Sequence, residues 1–266
     1  MTLNNLLIGN SSQLSYFFPE ENFVKISSRD MDLSRLSTKK WNRVFICFGE
    51  SRKLISDINL HDDINYYLTL EVIDTLKECS QSIVVYSSCE LWNKYEGQIS
   101  LDLEFNFYST PYTQSKYKLS KYILSNQDKY SNVIILYPFN FNSVYRNQNF
   151  LFGKIFDSII NKKVVEIGDT YFYRDIIHPK YVVKESINAT CHKLIGSGRK
   201  VYVNDFIRDL YEHFGLKYED YIILEDCQKF NEYSKKSEYY LKSNICNYTY
   251  KQLLEDTIQD IKSNIK

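Results

Sequence analysis

Five short apolar runs, spaced through the first half of the chain and separated by amphipathic stretches, limit what this sequence can fold into. They are Asn4–Ile8 (NNLLI), Phe23–Ser27 (FVKIS), Val44–Phe48 (VFICF), Ile83–Ser87 (IVVYS) and Val133–Tyr137 (VIILY). Runs this short and this apolar suit strands buried on both faces of a parallel sheet. Between them lie helical patterns. Asn65–Cys79 places Leu68, Val72, Ile73 and Leu76 on one stripe. Pro111–Asn126 carries a proline in its first turn, where a missing N–H costs nothing. Strand–helix alternation of this kind predicts an α/β fold, a Rossmann-type doubly wound parallel sheet.

The second half reads differently. Leu151–Ile160, Val203–Phe214 and Lys251–Ile265 are helical by periodicity, and Val164–Ile167 is a short strand ending at Gly168. A small C-terminal lobe is expected at the carboxyl edge of the sheet, where open α/β sheets take their ligands. With 266 residues, 44% of them hydrophobic, the chain can bury one core and an appended lobe.

Composition excludes several function classes. Lys+Arg and Asp+Glu are both 33, so there is no basic excess for nucleic acid. No apolar run is long enough for a bilayer. The opening MTLNNLLIGNSS lacks the charged leader of a signal peptide, so the expectation is a cytoplasmic protein. The cysteines at 47, 79, 89, 191, 227 and 246 have no CxxC spacing and read as reduced thiols, with no metal site. With 24 Tyr and 16 Phe, aromatic residues do not mark a site.

The first run leads into Gly9-Asn10-Ser11-Ser12-Gln13-Leu14-Ser15. A dinucleotide-binding turn wants small residues at the first, fourth and seventh of these positions, glycine above all, so that the backbone can approach a pyrophosphate. Gly9 is present, and Ser12 and Ser15 are small substitutes. The plain alternative is a strand followed by a Ser-capped helix. Phosphate bound here would sit on the N–H groups of that helix's first turn. The second run ends in Ser27-Ser28-Arg29. An arginine among hydroxyls suits a 2′-phosphate, where an acidic residue would suit a free 2′-hydroxyl. The cofactor read from this position is NADP, with NAD as the alternative, and a merely solvated Arg29 as the bland one.

Tyr112-Thr113-Gln114-Ser115-Lys116 places a phenol and an ammonium four apart on a helix. The cation lowers the phenol's pKa from about 10 by favouring the phenolate. Such a tyrosine exchanges a proton with an alcohol or ketone oxygen. Tyr117 and Lys121 share the spacing, so context has to choose. Pro111 opens the helix just before the first pair, and Ser87-Ser88-Cys89-Glu90 follows the fourth run, where a hydroxyl can reach the same oxygen.

These residues resemble the extended short-chain dehydrogenase/reductases that act on nucleotide-activated sugars. VVYSSCELWN is similar to the family's strand–Ser–Ser/Thr–x–Glu segment, and PYTQSKYKLSKYI to its Pro-Tyr-x-x-Ser-Lys helix. IILYPFNFNSVY is similar to Arg-Pro-x-Asn-Val-Tyr-Gly, with Pro138 and Asn140 kept, and VVEIGDTYFYRDIIHPKYVV to a later Gly-Asp…Arg-Asp segment. Asn65-x-x-x-Thr69 is similar to the family's helix after the fourth strand. The resemblance implies a catalytic set of Ser88, Tyr112 and Lys116, with Ser87 as the alternative serine. It implies cofactor contacts from Gly9, Ser12, Ser15, Ser28, Arg29, Phe48, Tyr112, Lys116 and Pro138. Cys89, Glu90, Asn140 and Arg174 would face the sugar nucleotide, Arg174 through its guanidinium fork. For Arg174 an ion pair with Asp169 or Asp175 is the alternative, and His178 reads as structural. A dinucleotide-binding domain over 1–140 with about 176–205, a substrate lobe over 141–175 and 206–266, and a homodimer through Asn65–Cys79 and Pro111–Asn126 are further implications. Departures are the two missing glycines after Gly9, Tyr137 in place of Arg, and Ser143 in place of Gly.

Cys89 stands where sugar 4,6-dehydratases carry an Asp, which disfavours dehydration. Phe150 stands where epimerase-reductases carry a His, which removes the second residue of a double epimerisation. What remains is reduction of a nucleotide-activated 4-keto (6-deoxy) sugar by NADPH, with Tyr112 as the acid. A 4-epimerase holding NAD, a 4,6-dehydratase and a non-catalytic relative are the alternatives.

Overall fold

Strands form where the apolar runs predict them, because only a sheet covered on both faces can bury consecutive side chains. The computed structural model describes residues 4–52, 55–93, 95, 97–105, 110–225, 239–242 and 248–265. In chain order the strands are β1 (Asn5–Ile8), β2 (Phe23–Ile26), β3 (Trp41–Ile46), β4 (Ser80–Tyr86), β5 (Gly97–Ile99), β6 (Val133–Pro138), β7 (Asn140–Phe141), β8 (Val165–Ile167), β9 (Tyr173–Arg174), β10 (Ile176–Ile177), β11 (Lys193–Ile195), β12 (Val201–Tyr202), β13 (Ile222–Leu224) and β14 (Tyr239–Leu241). The helices are α1 (Leu33–Ser37), α2 (Ile58–Asp62), α3 (Thr69–Leu76), α4 (Pro111–Ser125), α5 (Leu151–Asn161), α6 (Pro179–Ile187), α7 (Val203–His213), α8 (Tyr218–Tyr221) and α9 (Tyr250–Lys262).

Contacts divide the chain into two units. The first comprises Met1–Trp92, Glu104–Pro138 and Val183–Leu194. It is built on a six-stranded sheet of order β11-β6-β4-β3-β1-β2. Neighbouring strands from β2 through β6 pair in parallel, for example Leu6 with Val44 and Val84 with Ile134. Leu6, Leu7, Ile8, Val44, Ile83 and Val84 have no exposed surface, which is the burial on both faces that an unbroken apolar run encodes. β3 and β4 start earlier than their apolar runs. Their first residues pair at the amino edge, Trp41 with Ser80 and Arg43 with Ser82, where Arg43 Nε donates to Ser82 Oγ at 2.9 Å.

A π-helical turn, Asp63–Leu68, joins α2 to α3. It carries Asn65, which is fully buried. Residues 9–22, between β1 and β2, form no α-helix. They hold one 3-10 turn, Ser15–Phe17. Five of the turn's N–H groups bond within the unit: Gly9 and Asn10 donate to Ile26 O, Ser12 to Gly9 O, Ser15 to Ser12 O and Phe17 to Leu14 O. Lys25 Nζ closes the far side by donating to Phe18 O (2.8 Å) and Ser15 O (3.2 Å).

The second unit comprises Asn93–Leu103, Phe139–Val182 and Ile195–Lys266. Small two-stranded pairings (β7 with β10, β9 with β12, β8 with β13, β5 with β14) alternate with α5, α7 and α9. Its anchor is Asp175, fully buried, whose carboxylate accepts from Ser197 N and Oγ (both 2.7 Å), Gly198 N (2.9 Å) and Leu241 N (3.1 Å). A capping box, Thr249 with Gln252, starts α9. His178 is buried and reaches Asp260 at 3.5 Å, and its Nδ1 accepts from Lys180 N at the start of α6, which gives it a packing role. Cys47, Cys79, Cys89 and Cys191 are free thiols; Cys227 and Cys246 lie outside the described residues. Among the described residues no helix is long and apolar enough to cross a membrane, and no cluster of His, Cys, Asp and Glu could hold a metal.

Candidate active site

The site is built on the carboxyl ends of β3 and β4 and on α4. Thr110 caps α4, accepting from Thr113 N at 3.2 Å, and Pro111 occupies the first turn. That start fixes the phase of the helix. Thr113, Ser115, Lys116, Leu119, Ser120 and Ile123 turn inward. Tyr112 lies one turn before Lys116 and is partly exposed.

Lys116 is 7% exposed, and its Nζ donates to the carbonyl of Tyr86 at 2.8 Å. Tyr86 is the last residue of β4, immediately before Ser87 and Ser88. Burial pulls the Lys116 ammonium down to about 8, and no carboxylate among the described residues offsets it. The rival pair is built otherwise. Lys121 is exposed and lies 5.7 Å over the Tyr117 ring, a surface cation–π contact. The two serines also divide their work. Ser87 Oγ pairs with Ser120 Oγ at 2.8 Å, tying β4 to α4, while Ser88 Oγ accepts from Glu90 N at 3.2 Å. That bond shapes the 3-10 turn Cys89–Trp92, in which Cys89 is buried and Glu90 is partly exposed.

The loop after β3 closes over Lys116. A Cβ on Gly49 would stand 2.9 Å from Asn65 Oδ1 and 3.5 Å from Lys116 Nζ, so only glycine lets the three approach. Asn65 holds the loop with a bidentate clamp. Its Oδ1 accepts from Glu50 N and its Nδ2 donates to Glu50 O, both at 2.9 Å, and Nδ2 also donates to Ser115 Oγ on α4 at 3.0 Å. The Glu50 carboxylate is buried against Arg52, which donates from its backbone N (2.8 Å) and Nε (2.9 Å); these bonds hold the carboxyl below its ordinary value. His61 on α2 is fully buried, with Nε2 3.2 Å from Ile55 O and its ring edge-on to Tyr112 at 6.4 Å. Glu50, His61 and Ser120 are missing from the sequence reading. The Asn65-x-x-x-Thr69 spacing and the Ser115 of the Pro-Tyr-x-x-Ser-Lys helix signal part of this layer; the rest depends on which loop closes over which helix.

Gly9 has φ +105°, and a Cβ there would meet Phe48 N at 2.6 Å and Cys47 C at 2.9 Å. The glycine is required by the approach of β1 to β3 alone. Ser12 is partly exposed and Ser15 buried, with Ser15 Oγ donating into the turn at Asn10 O and Ser12 O, both at 2.6 Å. At the end of β2, Ser28 is partly exposed and Arg29 exposed, and Arg29 N donates to Ser27 Oγ at 3.1 Å. Pro138 closes β6. The residues expected to hold a cofactor thus fall on two different surfaces. At α4 stand the buried cation, the glycine and the strand-end serines. Residues 9–22, after β1, form no α-helix.

Asn140 and Arg174 belong to the second unit. Asn140 lies in β7 beside Ile176, with its Nδ2 buried and without a hydrogen-bond partner among the described residues. Arg174 donates to Tyr173 O at 2.7 Å and lies 4.5 Å over the Phe172 ring. The Asp175 carboxylate is committed to Ser197, Gly198 and Leu241.

No protein-family model matches this sequence, and no curated protein sequence does. Solved structures do match. MoeE5 in complex with UDP-glucose and NAD superposes with a TM-score of 0.80 at 15% identity, over 99% of this chain and 100% of that one. The UDP-N-acetylglucosamine 4-epimerase from Methanobrevibacter ruminantium, in complex with UDP-N-acetylmuramic acid, gives 0.78 at 16%, over 98% of each chain. RMD from Pseudomonas aeruginosa, complexed with NADPH, gives 0.75 at 16%, over 98% and 99%. The chain thus has the fold of the extended short-chain dehydrogenase/reductases. It is similar in fold to proteins solved with NAD or NADPH, with a nucleotide sugar, or with both.

Proposed function

We propose that the protein is an NAD(P)H-dependent oxidoreductase that reduces a nucleotide-activated 4-keto (6-deoxy) sugar, with NADPH as the reductant. The observation that carries this reading is Lys116: a cation buried without a carboxylate partner among the described residues, one helical turn from Tyr112 and docked on the strand end that precedes Ser88. Burying an unpaired charge is costly, and such positions are kept where the charge performs chemistry.

The dinucleotide, when bound, supplies the hydride. Lys116 favours the phenolate of Tyr112 and so makes its phenol a stronger acid. Tyr112 gives its proton to the oxygen of the reduced carbonyl, and solvent returns a proton to Tyr112. Ser88 Oγ hydrogen-bonds the same oxygen and orients it. Gly9, Ser12, Ser15, Phe48 and Pro138 line the cofactor side, and Ser28 with Arg29 takes a 2′-phosphate. Cys89 and Glu90 face the sugar, while Asn140 and Arg174 take the diphosphate of the substrate. The protein works in the cytoplasm as a homodimer, and Tyr67 on the π turn, 61% exposed, supports a helix-to-helix contact.

The test is consumption of NADPH, and separately of NADH, with a panel of nucleotide-activated 4-keto sugars. Activity should fall by about 10²–10⁴ in Tyr112→Phe while binding of the substrate nucleotide survives. A Tyr112→Phe variant of unchanged rate removes Tyr112 from the reaction.

A further inference from the structure

The amino edge of the six-stranded sheet, opposite the strand ends that carry the candidate active site, holds a cavity of about 520 Å³. That is the size of a small-molecule site. Its lining belongs to the first unit. We infer that this cavity is a second binding site, for a small polyhydroxylated phosphate monoester of the sugar-phosphate kind, gripped by Arg43 on β3.

Strand register builds the site. Arg43 on β3 pairs with Ser82 on β4. Asn5 stands one step before the pair Leu6–Val44, and Asn132 one step before the pair Ile83–Val133. The four form a polar row across β1, β3, β4 and β6. Two residues on from Arg43 and Asn132, where a strand returns to the same face, Phe45 and Ile134 supply an apolar floor. Charge decides the sign of the ligand. Arg43 is half-buried, and its partners are neutral: Nε donates to Ser82 Oγ at 2.9 Å, and Nη1 to Ile187 O at 2.7 Å and Ser186 O at 3.4 Å. Among the described residues no carboxylate offsets the charge, and burial pulls the guanidinium below its ordinary value. A cation drawn out of water without an acid is a place for a ligand anion. The N–H bonds of Arg43 Nη2 and Asn5 Nδ2, and the hydroxyl proton of Ser82, are donated to nothing among the described residues. Donors from three strands suit the three terminal oxygens of a phosphate monoester, where a carboxylate has two. The rest of the lining suits hydroxyl groups. Asn132 spends its Nδ2 on Lys77 O and Ser80 O, and Asn42 its Nδ2 on Asn5 Oδ1, so both keep a carboxamide oxygen as acceptor.

The experiment titrates the intact protein by calorimetry with glucose 6-phosphate, glucuronate, glucose and inorganic phosphate. Glucose 6-phosphate should bind with a Kd below about 1 mM, and each of the other three at least about 10-fold more weakly. Thr190 lines the cavity and is exposed, so Thr190→Glu adds a carboxylate there without disturbing the sheet. That variant and Arg43→Gln should each lose at least about 10-fold in affinity for glucose 6-phosphate, while Lys116→Met, at the opposite edge, should lose none. Where Arg43→Gln fails to fold, Thr190→Glu decides. Equal binding of glucose 6-phosphate by wild type and Thr190→Glu, or weakened binding by Lys116→Met, places the ligand elsewhere and overturns the inference. Equal affinity for glucuronate overturns the choice of phosphate, equal affinity for inorganic phosphate overturns the organic ligand, and no binding at about 10 mM overturns the site.

Discussion

The ammonium of Lys116 on α4 donates to the carbonyl of Tyr86 at the end of β4, and that 2.8 Å bond joins the helix bearing Tyr112 to the strand bearing Ser88. Desolvation holds this lysine at about 8, below the ordinary 10.5. The folded state therefore disfavours the cation. In pH units, wild-type stability gains from this group as pH rises from about 8 toward 10.5, where the unfolded chain still holds the proton. Lys116→Met should be most favourable for stability, relative to wild type, near pH 7, and its advantage should shrink toward pH 10.5 in urea titrations. Over the same range kcat/KM of the wild type should fall as the cation is lost above about pH 8. A flat profile there would detach Lys116 from the reaction.

Asn65 spans the loop after β3 and the face of α4, through Glu50 on one side and Ser115 on the other. Asn65→Ala strands the N–H and C=O of Glu50 in the interior. It should cost about 2–4 kcal/mol in chemical denaturation, since each buried unpaired group costs about 1–3. It should also weaken nicotinamide binding, because Gly49 is no longer held beside Lys116. Gly49→Ala should do the same by steric means. An Asn65→Ala protein of wild-type stability would show that water replaces the clamp.

Gly9→Ala meets both a positive φ and the backbone of Phe48. A loss of at least about 3 kcal/mol is expected, combining strain with overpacking. The loss should be present in full without NADPH, because the glycine answers to β3. A destabilisation seen only in the presence of cofactor would refute that.

Asp175→Asn replaces an acceptor of four hydrogen bonds with a group that turns one N–H toward another. About 2–4 kcal/mol should be lost from the second unit, read as an earlier phase in protease susceptibility of residues 195–225. Uniform susceptibility with wild-type midpoints would show that the site tolerates an amide.

The sheet was legible because burial on both faces writes itself as unbroken apolar runs. NNLLI became β1 within one residue, and VIILY became β6 with Pro138 added. Less legible were elements whose ends are polar. β3 begins at Trp41 because Arg43 and Ser82 bond across the sheet edge, a partnership that no local pattern announces. The segment after β1 misled for a related reason. Its serines suit a helix cap, yet they bond to one another and to Lys25 in a tighter turn. Of the site, the Tyr112-to-Lys116 spacing was visible, but its rival at Tyr117 and Lys121 looked the same. Burial separates the two lysines, and burial belongs to the fold.

The wide turn at Asp63–Leu68 has one more consequence. A π turn holds one residue more than a regular turn, so the rods on either side of it are out of phase by about 100°. Excising a single residue there, Tyr67 for instance, would let the rod run straight and swing Asn65 to a different compass point relative to Thr69. Between His61 and Thr69 it is the number of residues, as much as their chemistry, that keeps the carboxamide aimed at Glu50.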